Sequence, residues 1–214
     1  MKLIKPGYEI LSEIDRETIL KRIEIAGRTC YKSEKKITEE SASKFVKGIV
    51  KAGHLSVIEH VNIIVKFICD RGVTHELVRH RLASYSQEST RYCNYSGGVT
   101  FIIPLWLYDD IPEGEYKKCP DNWGTPFTAS MLWFSSMLEL EGLYIRLLKE
   151  GWKPQQARSV LPNSLKTEIV TTCNLREWKH IFNLRCSEKA HSQIREIMIP
   201  LREELKSILP EIYG

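Results

Sequence analysis

The stretch Arg79–Tyr92 reads RHRLASYSQESTRY, and the rest of the chain is organised around it. Its 14 residues include three arginines, one histidine, three serines, one threonine and two tyrosines. Neither a core element nor a solvated helix face needs so many polar groups together. Guanidinium groups are planar forks of donors that suit phosphate and carboxylate oxygens. The stretch therefore predicts an anion site, with nucleotide phosphate as the first hypothesis for its ligand.

The composition places this site in an ordinary globular chain. Of the 214 residues, 43% are hydrophobic and 27% are charged, which is typical of a globular protein and allows a large core. A formal net charge of +4, from 31 basic and 27 acidic residues, is too small to indicate a nucleic-acid-binding surface by itself. We therefore expect one domain over residues 1–214.

Cysteine usage and hydropathy predict a cytoplasmic protein that does not enter a membrane. The six cysteines are scattered without a C-x-x-C pair, which favours reduced thiols over a disulfide framework. No secretory leader pattern precedes Pro6 and Gly7. The longest apolar run lies near Ile63–Cys69 and is broken by Lys66. It is far shorter than the roughly 20 residues that a membrane helix needs.

Periodicity predicts several helices and a few strands. Alternating apolar residues in Val61–Cys69 predict a buried strand. Asp15 is a candidate N-cap for a helix that ends near Gly27. The other expected helices run from Thr38 to Gly53, from after Phe127 to near Gly151, from Pro154 to before Pro162, from an Asn174 cap through Leu184, and over about Ala190–Ile208; the other expected strands are Tyr8–Ile14, Val99–Ile103 and Leu165–Cys173.

Two segments are predicted to be irregular. Arg79–Tyr92 is expected to begin on a helix end and to continue through a loop. Residues 105–127 contain three prolines and two glycines, which predicts an excursion without regular structure. Because helices outnumber strands and do not alternate with them regularly, we expect an α+β fold, with helices around a small, mostly antiparallel sheet.

Standard phosphate-binding and nucleophile motifs are absent from the sequence. There is no Walker pattern and no G-x-G-x-x-G, and the glycine pair at positions 97 and 98 lacks the strand and helix of such a loop. The serines of the stretch lack a G-x-S-x-G elbow. Arginines near Cys30, Cys93 and Cys186 favour a lowered thiolate pKa, but a buried structural thiol is the preferred interpretation. The anion is therefore expected to be held by arginines.

The histidines do not follow a metal-binding pattern. His54 and His60 lie six positions apart, and His75 and His80 lie five apart. On a helix, neither spacing puts both rings on one face as an i, i+4 pair does. We therefore expect no metal site and interpret these histidines as polar groups near the site.

Asn174-Leu175-Arg176 and Asn183-Leu184-Arg185 each place an amide and a guanidinium two positions apart. The repetition, in an otherwise apolar neighbourhood, hints at ligand contacts. Helix caps and solvated helix faces explain the same residues equally well, so both interpretations stay open at this point.

Together these segments resemble one enzyme family. Arg79-His80-Arg81, seven residues and then Ser89 resemble the RHR-x7-S signature of the flavin-dependent thymidylate synthases, the ThyX family. His54–His60 is similar to the family's upstream H-x-T-P-x-E-H segment, with Ser56-Val57 in place of Thr-Pro. Residues 157–162 and 183–185 resemble its downstream blocks, in the same order.

This resemblance implies a homotetrameric α+β enzyme that binds FAD between subunits. Such an enzyme converts dUMP to dTMP by reductive methylation, with methylenetetrahydrofolate as the one-carbon donor and NADPH as the reductant. A protein nucleophile is not required, because the cofactor carries the redox chemistry while the protein positions and polarises the reactants. That fits a sequence without a convincing nucleophile motif.

The resemblance also implies site residues. The implied flavin contacts are Ser56, Glu59, Arg79, His80, Arg81, Gln87, Asn174, Leu175, Arg176 and His180. The implied dUMP contacts are Glu76, Leu77, Val78, Arg79, Gln87, Glu88, Ser89, Thr90, Arg91, Arg158 and Arg185. The implied catalytic residues are Arg185, Ser89 and His54. Arg185 would lie against the uracil and favour its ionised form, and His54 and Glu59 would face the flavin and the folate.

Two other classes of function compete with this interpretation. Arg79, Arg81 and Arg91, interleaved with tyrosines, could neutralise and stack on a single-stranded nucleic acid. A small net charge and the absence of a nucleic-acid-binding motif oppose that class. A serine or metal hydrolase acting on nucleotides lacks its motifs. We therefore expect neither a nucleic-acid partner nor a membrane partner.

Overall fold

A computed structural model describes residues 1–120 and 128–214. Its strands are β1 (Lys2–Ile4), β2 (Gly7–Ile10), β3 (Asn62–Asp70), β4 (Ser84–Gln87), β5 (Thr100–Ile102), β6 (Gly114–Glu115) and β7 (Lys166–Asn174). Its α-helices are α1 (Arg16–Cys30), α2 (Ser41–Lys51), α3 (Arg71–Leu77), α4 (Ala129–Lys149), α5 (Pro154–Ala157), α6 (Leu175–Arg185), α7 (Ser192–Ile208) and α8 (Pro210–Tyr213). Short 3-10 helices lie at Glu34–Lys36, Leu55–His60, Leu105–Leu107 and Arg158–Val160. The α+β class is confirmed.

The chain divides into two compact units. The first unit comprises Met1–Gly7, Phe67–Leu77 and Ser86–Ile169. The second unit comprises Tyr8–Lys66, Val78–Tyr85 and Val170–Gly214. The extent of a single domain, 1–214, stays a prediction.

The first unit is built around a three-stranded sheet with the order β5-β1-β6. β1 pairs parallel with β5 and antiparallel with β6, so this sheet is mixed. Thr128 caps α4 by accepting a hydrogen bond from the backbone N–H of Met131 at 3.3 Å. Phe134 and Tyr144 of α4 are fully buried in the same apolar cluster as Phe101 of β5. The burial of these aromatic side chains supplies much of the driving force for the unit.

The second unit is mainly helical. Asp15 caps α1 by accepting from the backbone N–H groups of Glu17 and Thr18, as the sequence predicts. The fully buried Trp178 of α6 stacks on Phe182 and donates its indole N–H to the carbonyl of Ile63 at 3.1 Å. A buried indole N–H needs such a partner, so α6 is held at a defined depth and rotation.

A four-stranded sheet has the order β2-β3-β7-β4. β2 lies at one edge of this sheet. In β3 the side chains of Ile63, Val65, Phe67 and Cys69 are fully buried, which confirms the alternating pattern predicted for this strand. β4 forms the other edge.

Several predicted boundaries are wrong. Ser84–Gln87 was expected in a loop but forms β4, because it pairs along the edge of the sheet with alternate half-buried residues. Helix α3 begins at Arg71, directly after β3, since Asp70 accepts a hydrogen bond from the backbone N–H of Val73 at 2.8 Å. The predicted excursion at 105–127 contains a 3-10 helix and β6, and its residues 121–127 lie outside the described residues.

The remaining helices follow the predicted pattern more closely. α1 ends three residues beyond Gly27, at Cys30, and α2 starts at Ser41. Pro200 lies inside α7. Among the described helices, none combines the length and the apolar character required to cross a bilayer.

Candidate functional site

The residues that the resemblance assigns to the flavin lie almost entirely in one unit, whereas those that it assigns to the nucleotide are divided between the two units. The second unit holds His54, Ser56, Glu59, Val78, Arg79, His80, Arg81, Asn174, Leu175, Arg176, His180 and Arg185. The first unit holds Glu76, Leu77, Gln87, Glu88, Ser89, Thr90, Arg91 and Arg158. The stretch Arg79–Tyr92 is divided between Tyr85 and Ser86. The flavin group therefore lies almost wholly in one unit, with Gln87 as the exception.

In the second unit, the 3-10 helix Leu55–His60 presents polar groups to solvent. Val57 and Ile58 are buried and anchor the turn, whereas Ser56 and Glu59 are exposed. Glu59 forms an ion pair with Arg176 of α6 at 2.6 Å. Two predicted flavin residues are thereby brought together from distant parts of the chain.

Two other predicted flavin residues, Asn174 and Leu175, lie at the start of α6 and make hydrogen bonds there. The Asn174 side chain caps the helix by accepting from the backbone N–H of Glu177 at 2.9 Å. Leu175 is fully buried, and its backbone N–H donates to the carbonyl of Val61 at 3.0 Å. Its own carbonyl accepts from the hydroxyl of Tyr213 at 3.2 Å. Both residues therefore hold the helix start in place, which is the cap interpretation left open above.

His80 joins Arg185 and Glu177 within the second unit. The Arg185 Nε donates to His80 Nε2 at 3.0 Å, and His80 Nδ1 lies 3.7 Å from Glu177 Oε1. His80 and Glu177 are only 5% and 6% exposed. The ring of His180 meets that of His80 edge-on, with 5.8 Å between centroids. The backbone carbonyl of His80 accepts from the Tyr85 hydroxyl at 2.9 Å.

His80 is neutral in this environment. Burial is the main cause that lowers the pKa of His80 from 6.5 to about 4, and the positive charge of Arg185 and the nearby His180 act in the same direction. These effects outweigh the attraction of the Glu177 carboxylate. A neutral imidazole can accept a hydrogen bond from a guanidinium, whereas an imidazolium cannot.

The pKa of His80 leads to a prediction about stability. Between pH 6.5 and about 4 the unfolded state binds a proton that the folded state excludes, so the free energy of unfolding falls as the pH is lowered through this window. From about pH 7 to about pH 4, we expect the wild type to lose on the order of 3 kcal/mol more than His80→Gln. Urea unfolding at both pH values measures this difference. Equal losses in the two proteins would contradict the assigned pKa.

His80, Glu177 and His180 could also hold a metal ion, since their ligand atoms lie within 4.8 Å of one another. The Arg185 guanidinium opposes this use, because it occupies Nε2 of His80 and places a fixed positive charge beside the cluster. The same charge favours an anion or an electron-rich ring.

In the first unit, the side chains of residues 87 and 88 are held by neighbours. Gln87 donates to the hydroxyl of Thr74 at 3.0 Å and to that of Thr167 at 3.3 Å. The Glu88 carboxylate accepts from the Tyr95 hydroxyl at 2.8 Å and from Lys166 Nζ at 3.1 Å. Both side chains therefore set the position of the turn that follows.

That turn carries the hydroxyl groups of the signature. The backbone N–H of Arg91 donates to Ser89 Oγ at 3.3 Å, and the backbone N–H of Cys93 donates to the Ser89 carbonyl at 2.9 Å. Arg91 is exposed, and its guanidinium lies 5.4 Å from the ring of Tyr92. The turn thus presents a guanidinium to solvent beside Ser89.

A cavity of about 450 Å³ in the first unit combines two guanidinium groups with hydroxyl and amide groups. Its lining residues are Arg71, Thr90, Gln155, Arg158, Ser159, Leu161, Pro162, Asn163 and Leu165, none of them acidic. Arg158 Nη1 donates to Thr90 Oγ1 at 3.1 Å. Arg71 Nη1 is buried and has no hydrogen-bond partner among the described residues. A buried guanidinium nitrogen without a partner is costly, so this nitrogen is a candidate group for binding an anion.

Sequence reasoning missed Arg71, Glu177 and the residues that brace the turn. Arg71 was assigned no role, although it shares its cavity with the predicted Arg158. Glu177 lies in the first turn of α6 and looks like an ordinary first-turn acid. No local signal in the sequence pairs either residue with its neighbours in space.

Cys69, Cys173 and Cys186 do not offer an activated thiolate. All six are free. Burial raises the pKa of Cys186 above its ordinary value, even though Arg202 and Arg195 act to lower it. Burial also raises the pKa values of Cys69 and Cys173. For Cys186, the structural interpretation therefore replaces the suggestion that a nearby arginine activates it.

Comparisons with known proteins agree with the motif blocks. The sequence profile of a family described as thymidylate synthase complementing protein, Thy1, matches residues 14–211. A flavin-dependent thymidylate synthase of Mycobacterium sp. (strain JLS) is 34% identical over 209 residues, which cover 94% of this chain and 82% of that protein. One from Pyrococcus furiosus is 35% identical over 183 residues, which cover 84% of this chain and 68% of that protein.

A solved structure has a similar fold. The UMP/dUMP methylase PolB from Streptomyces cacaoi, bound with 5-Br dUMP, superposes with a TM-score of 0.77. The match covers 100% of this chain and 95% of PolB at 21% sequence identity. At this identity the likeness concerns the fold.

Proposed function

Because the chain belongs to the thymidylate synthase complementing protein family, we propose that this enzyme methylates dUMP to dTMP with a bound flavin. FAD is the flavin we propose, methylenetetrahydrofolate the one-carbon donor and NADPH the reductant. The relatives named above are flavin-dependent thymidylate synthases, and the chain carries the RHR-x7-S signature with its companion blocks. Neither a nucleic-acid-binding module nor a nucleotide hydrolase accounts for all of these blocks.

The observation that carries the substrate half of the proposal is the cavity of the first unit. The guanidinium groups of Arg71 and Arg158 line it, no lining residue is acidic, and Arg71 Nη1 has no protein partner among the described residues. A phosphate monoester is the nucleotide group that suits this chemistry, because guanidinium groups bind its oxygens with paired, charge-assisted hydrogen bonds. We therefore place the 5′-phosphate of dUMP in this cavity.

The residues of the second unit fit a flavin. The side chains of Arg79, Arg81 and Arg176 are exposed, and their guanidinium groups suit the diphosphate of FAD. The ring of His180 is also exposed and lies on the same helix, α6, as Arg176. Bound FAD supplies the redox chemistry of the reaction. The role of the protein itself is to bind, orient and polarise the reactants.

In this mechanism Arg185 acts on the uracil ring. A fixed guanidinium stabilises negative charge on the ring as the ring becomes a nucleophile, and it does so more strongly where water is excluded. The neutral His80 holds Arg185 without competing for that charge. His54 is exposed at the start of its 3-10 helix and is proposed to face the flavin and the folate. Ser89 is proposed to orient the nucleotide.

The proposal includes a homotetramer in which subunits share the site. Three large apolar side chains of the second unit support self-association because they are exposed: Val78 at 41%, Leu82 at 77% and Leu184 at 49%. They flank the sequence positions of Arg79–Arg81 and Arg185, and a second copy of the chain would cover them. Cytoplasmic localisation stays a prediction.

The test of the proposed function is the visible spectrum and the product. We expect purified protein to be yellow and to oxidise NADPH, with reduction of its flavin, faster when dUMP is present. With methylenetetrahydrofolate added, chromatography should detect dTMP. A colourless protein that binds no added FAD and forms no dTMP would rule the function out. Deoxyuridine, which lacks the phosphate, is the matched control substrate and should give little product.

A further inference from the structure

Three polar side chains in the second unit form a connected series. Glu177 Oε1 lies 3.7 Å from His80 Nδ1, and His80 Nε2 accepts from Arg185 Nε at 3.0 Å. Glu177 is anchored at the start of α6 through its backbone N–H, and Arg185 is the last residue of the same helix. His80 comes from a separate segment and lies against both.

The hydrogen bond to Arg185 decides which nitrogen of His80 carries the proton. A guanidinium Nε only donates, so His80 Nε2 must be the unprotonated nitrogen. The proton then sits on Nδ1, which faces the Glu177 carboxylate. At 3.7 Å this contact is an electrostatic attraction longer than a hydrogen bond. A carboxylate beside Nδ1–H favours the same tautomer and the same ring orientation, as the partner of a ligating or catalytic histidine does.

We propose that Glu177, acting through the neutral ring of His80, orients the guanidinium of Arg185 for its role at the substrate. Glu177 and His80 are positioning residues in this scheme. The resemblance assigned His80 to the flavin and assigned Glu177 no role. The catalytic consequence rests on the proposed function, whereas the proton position on His80 does not.

The surroundings of His80 leave few competing explanations for its orientation. Among the residues that the structure describes, the charged or titratable groups that face it are Glu177, His180 and Arg185 of α6, and the Tyr85 hydroxyl, which donates to its backbone carbonyl. A long, flexible arginine side chain loses conformational entropy when it is fixed in one rotamer. If His80 and Glu177 already fix Arg185 before the substrate binds, less entropy is lost when the transition state forms.

The first experiment measures the proton position by NMR of protein labelled with ¹⁵N-histidine, with the His80 signals assigned by their loss in His80→Gln. We expect the neutral Nδ1–H form at pH 7. An Nε2–H form, or an imidazolium at that pH, would overturn the proposal. This readout needs no substrate, so it stands or fails separately from the proposed function.

The second experiment is a double-mutant cycle on dTMP formation. We expect Glu177→Gln to lower kcat roughly tenfold, in the range of coupling between residues in one network, with little change in KM for dUMP. In an Arg185→Ala background the same change should have no further effect, because Glu177 acts through Arg185. Additive losses would show a merely structural role and would overturn the proposal.

Two further variants serve as a control and as a substitute for Glu177→Gln. Glu188→Gln, at an exposed position just beyond α6, is the matched control and should leave kcat unchanged. If urea titrations show that Glu177→Gln does not fold, His80→Gln is used instead. The amide oxygen of the new glutamine can still accept a hydrogen bond from Arg185, but Glu177 then has no imidazole ring to orient. His80→Gln with the full kcat of the wild type would also contradict the proposal. A wild type that forms no dTMP but shows the Nδ1–H form would reject the proposed function alone.

Discussion

Arg185→Ala is expected to reduce dTMP formation by about 10²–10³-fold, the usual effect of removing one preorganised charged donor from a reacting centre. The reason is that Arg185 is the group assigned to the uracil that carries a fixed positive charge and is held in place by a neutral partner. Single-turnover measurement of dTMP from saturating dUMP tests the chemical step directly, separately from binding.

The fold should survive this substitution. Arg185 is the last residue of α6 and is only half-buried, and the helix is held by Trp178 and Phe182 instead. We therefore expect flavin absorbance and urea unfolding to stay near the wild-type values. Arg185→Lys is the matched control: it retains the charge but has no Nε to donate to His80, so we expect a loss between those of the wild type and alanine. Full activity in Arg185→Ala would remove Arg185 from the mechanism.

Arg71→Met is expected to raise KM for dUMP on the order of 10- to 100-fold, because a charge-assisted hydrogen bond to phosphate is lost while the length of the side chain is kept. The effect on kcat should be small, since phosphate binding is the same in the ground state and in the transition state. Isothermal titration of dUMP measures the binding step alone.

Two comparisons make this prediction specific. Deoxyuridine should bind the variant and the wild type with equal, weak affinity, because it carries no phosphate. Arg202→Met alters an arginine that pairs with its neighbour Glu203 in α7, and it should leave the affinity for dUMP unchanged. An unchanged affinity for dUMP in Arg71→Met would mean that the phosphate binds elsewhere.

Local sequence patterns were sufficient to predict those structural features that depend on one residue or on a short run of residues. Asp15 and Asn174 both cap helices as predicted, because a side-chain oxygen within three residues satisfies the free N–H groups of a helix start. The alternation in β3 was sufficient because a strand buried on one face has a period of two. The signature and its companion blocks were sufficient to identify the family.

Other features depended on contacts between distant segments. Ser84–Gln87 has no strong strand pattern, and only its place at the edge of the sheet makes it a strand. Arg71 and Arg158 line one cavity although β4, β5 and α4 lie between them in the chain. Cys186 illustrates the same point, since burial that no local pattern reports raises the pKa of its thiol.

The sequence by itself therefore determined the class of chemistry, since Arg79–Tyr92 carries the groups that a nucleotide and a flavin require. Only the tertiary structure decided how these groups are used. It divided the stretch between two units, gave Arg158 a second guanidinium at Arg71, and placed Glu177 and Arg185 on either side of His80. The physical reason is that the energies of phosphate binding and of proton position depend on distance and burial, which fold topology sets.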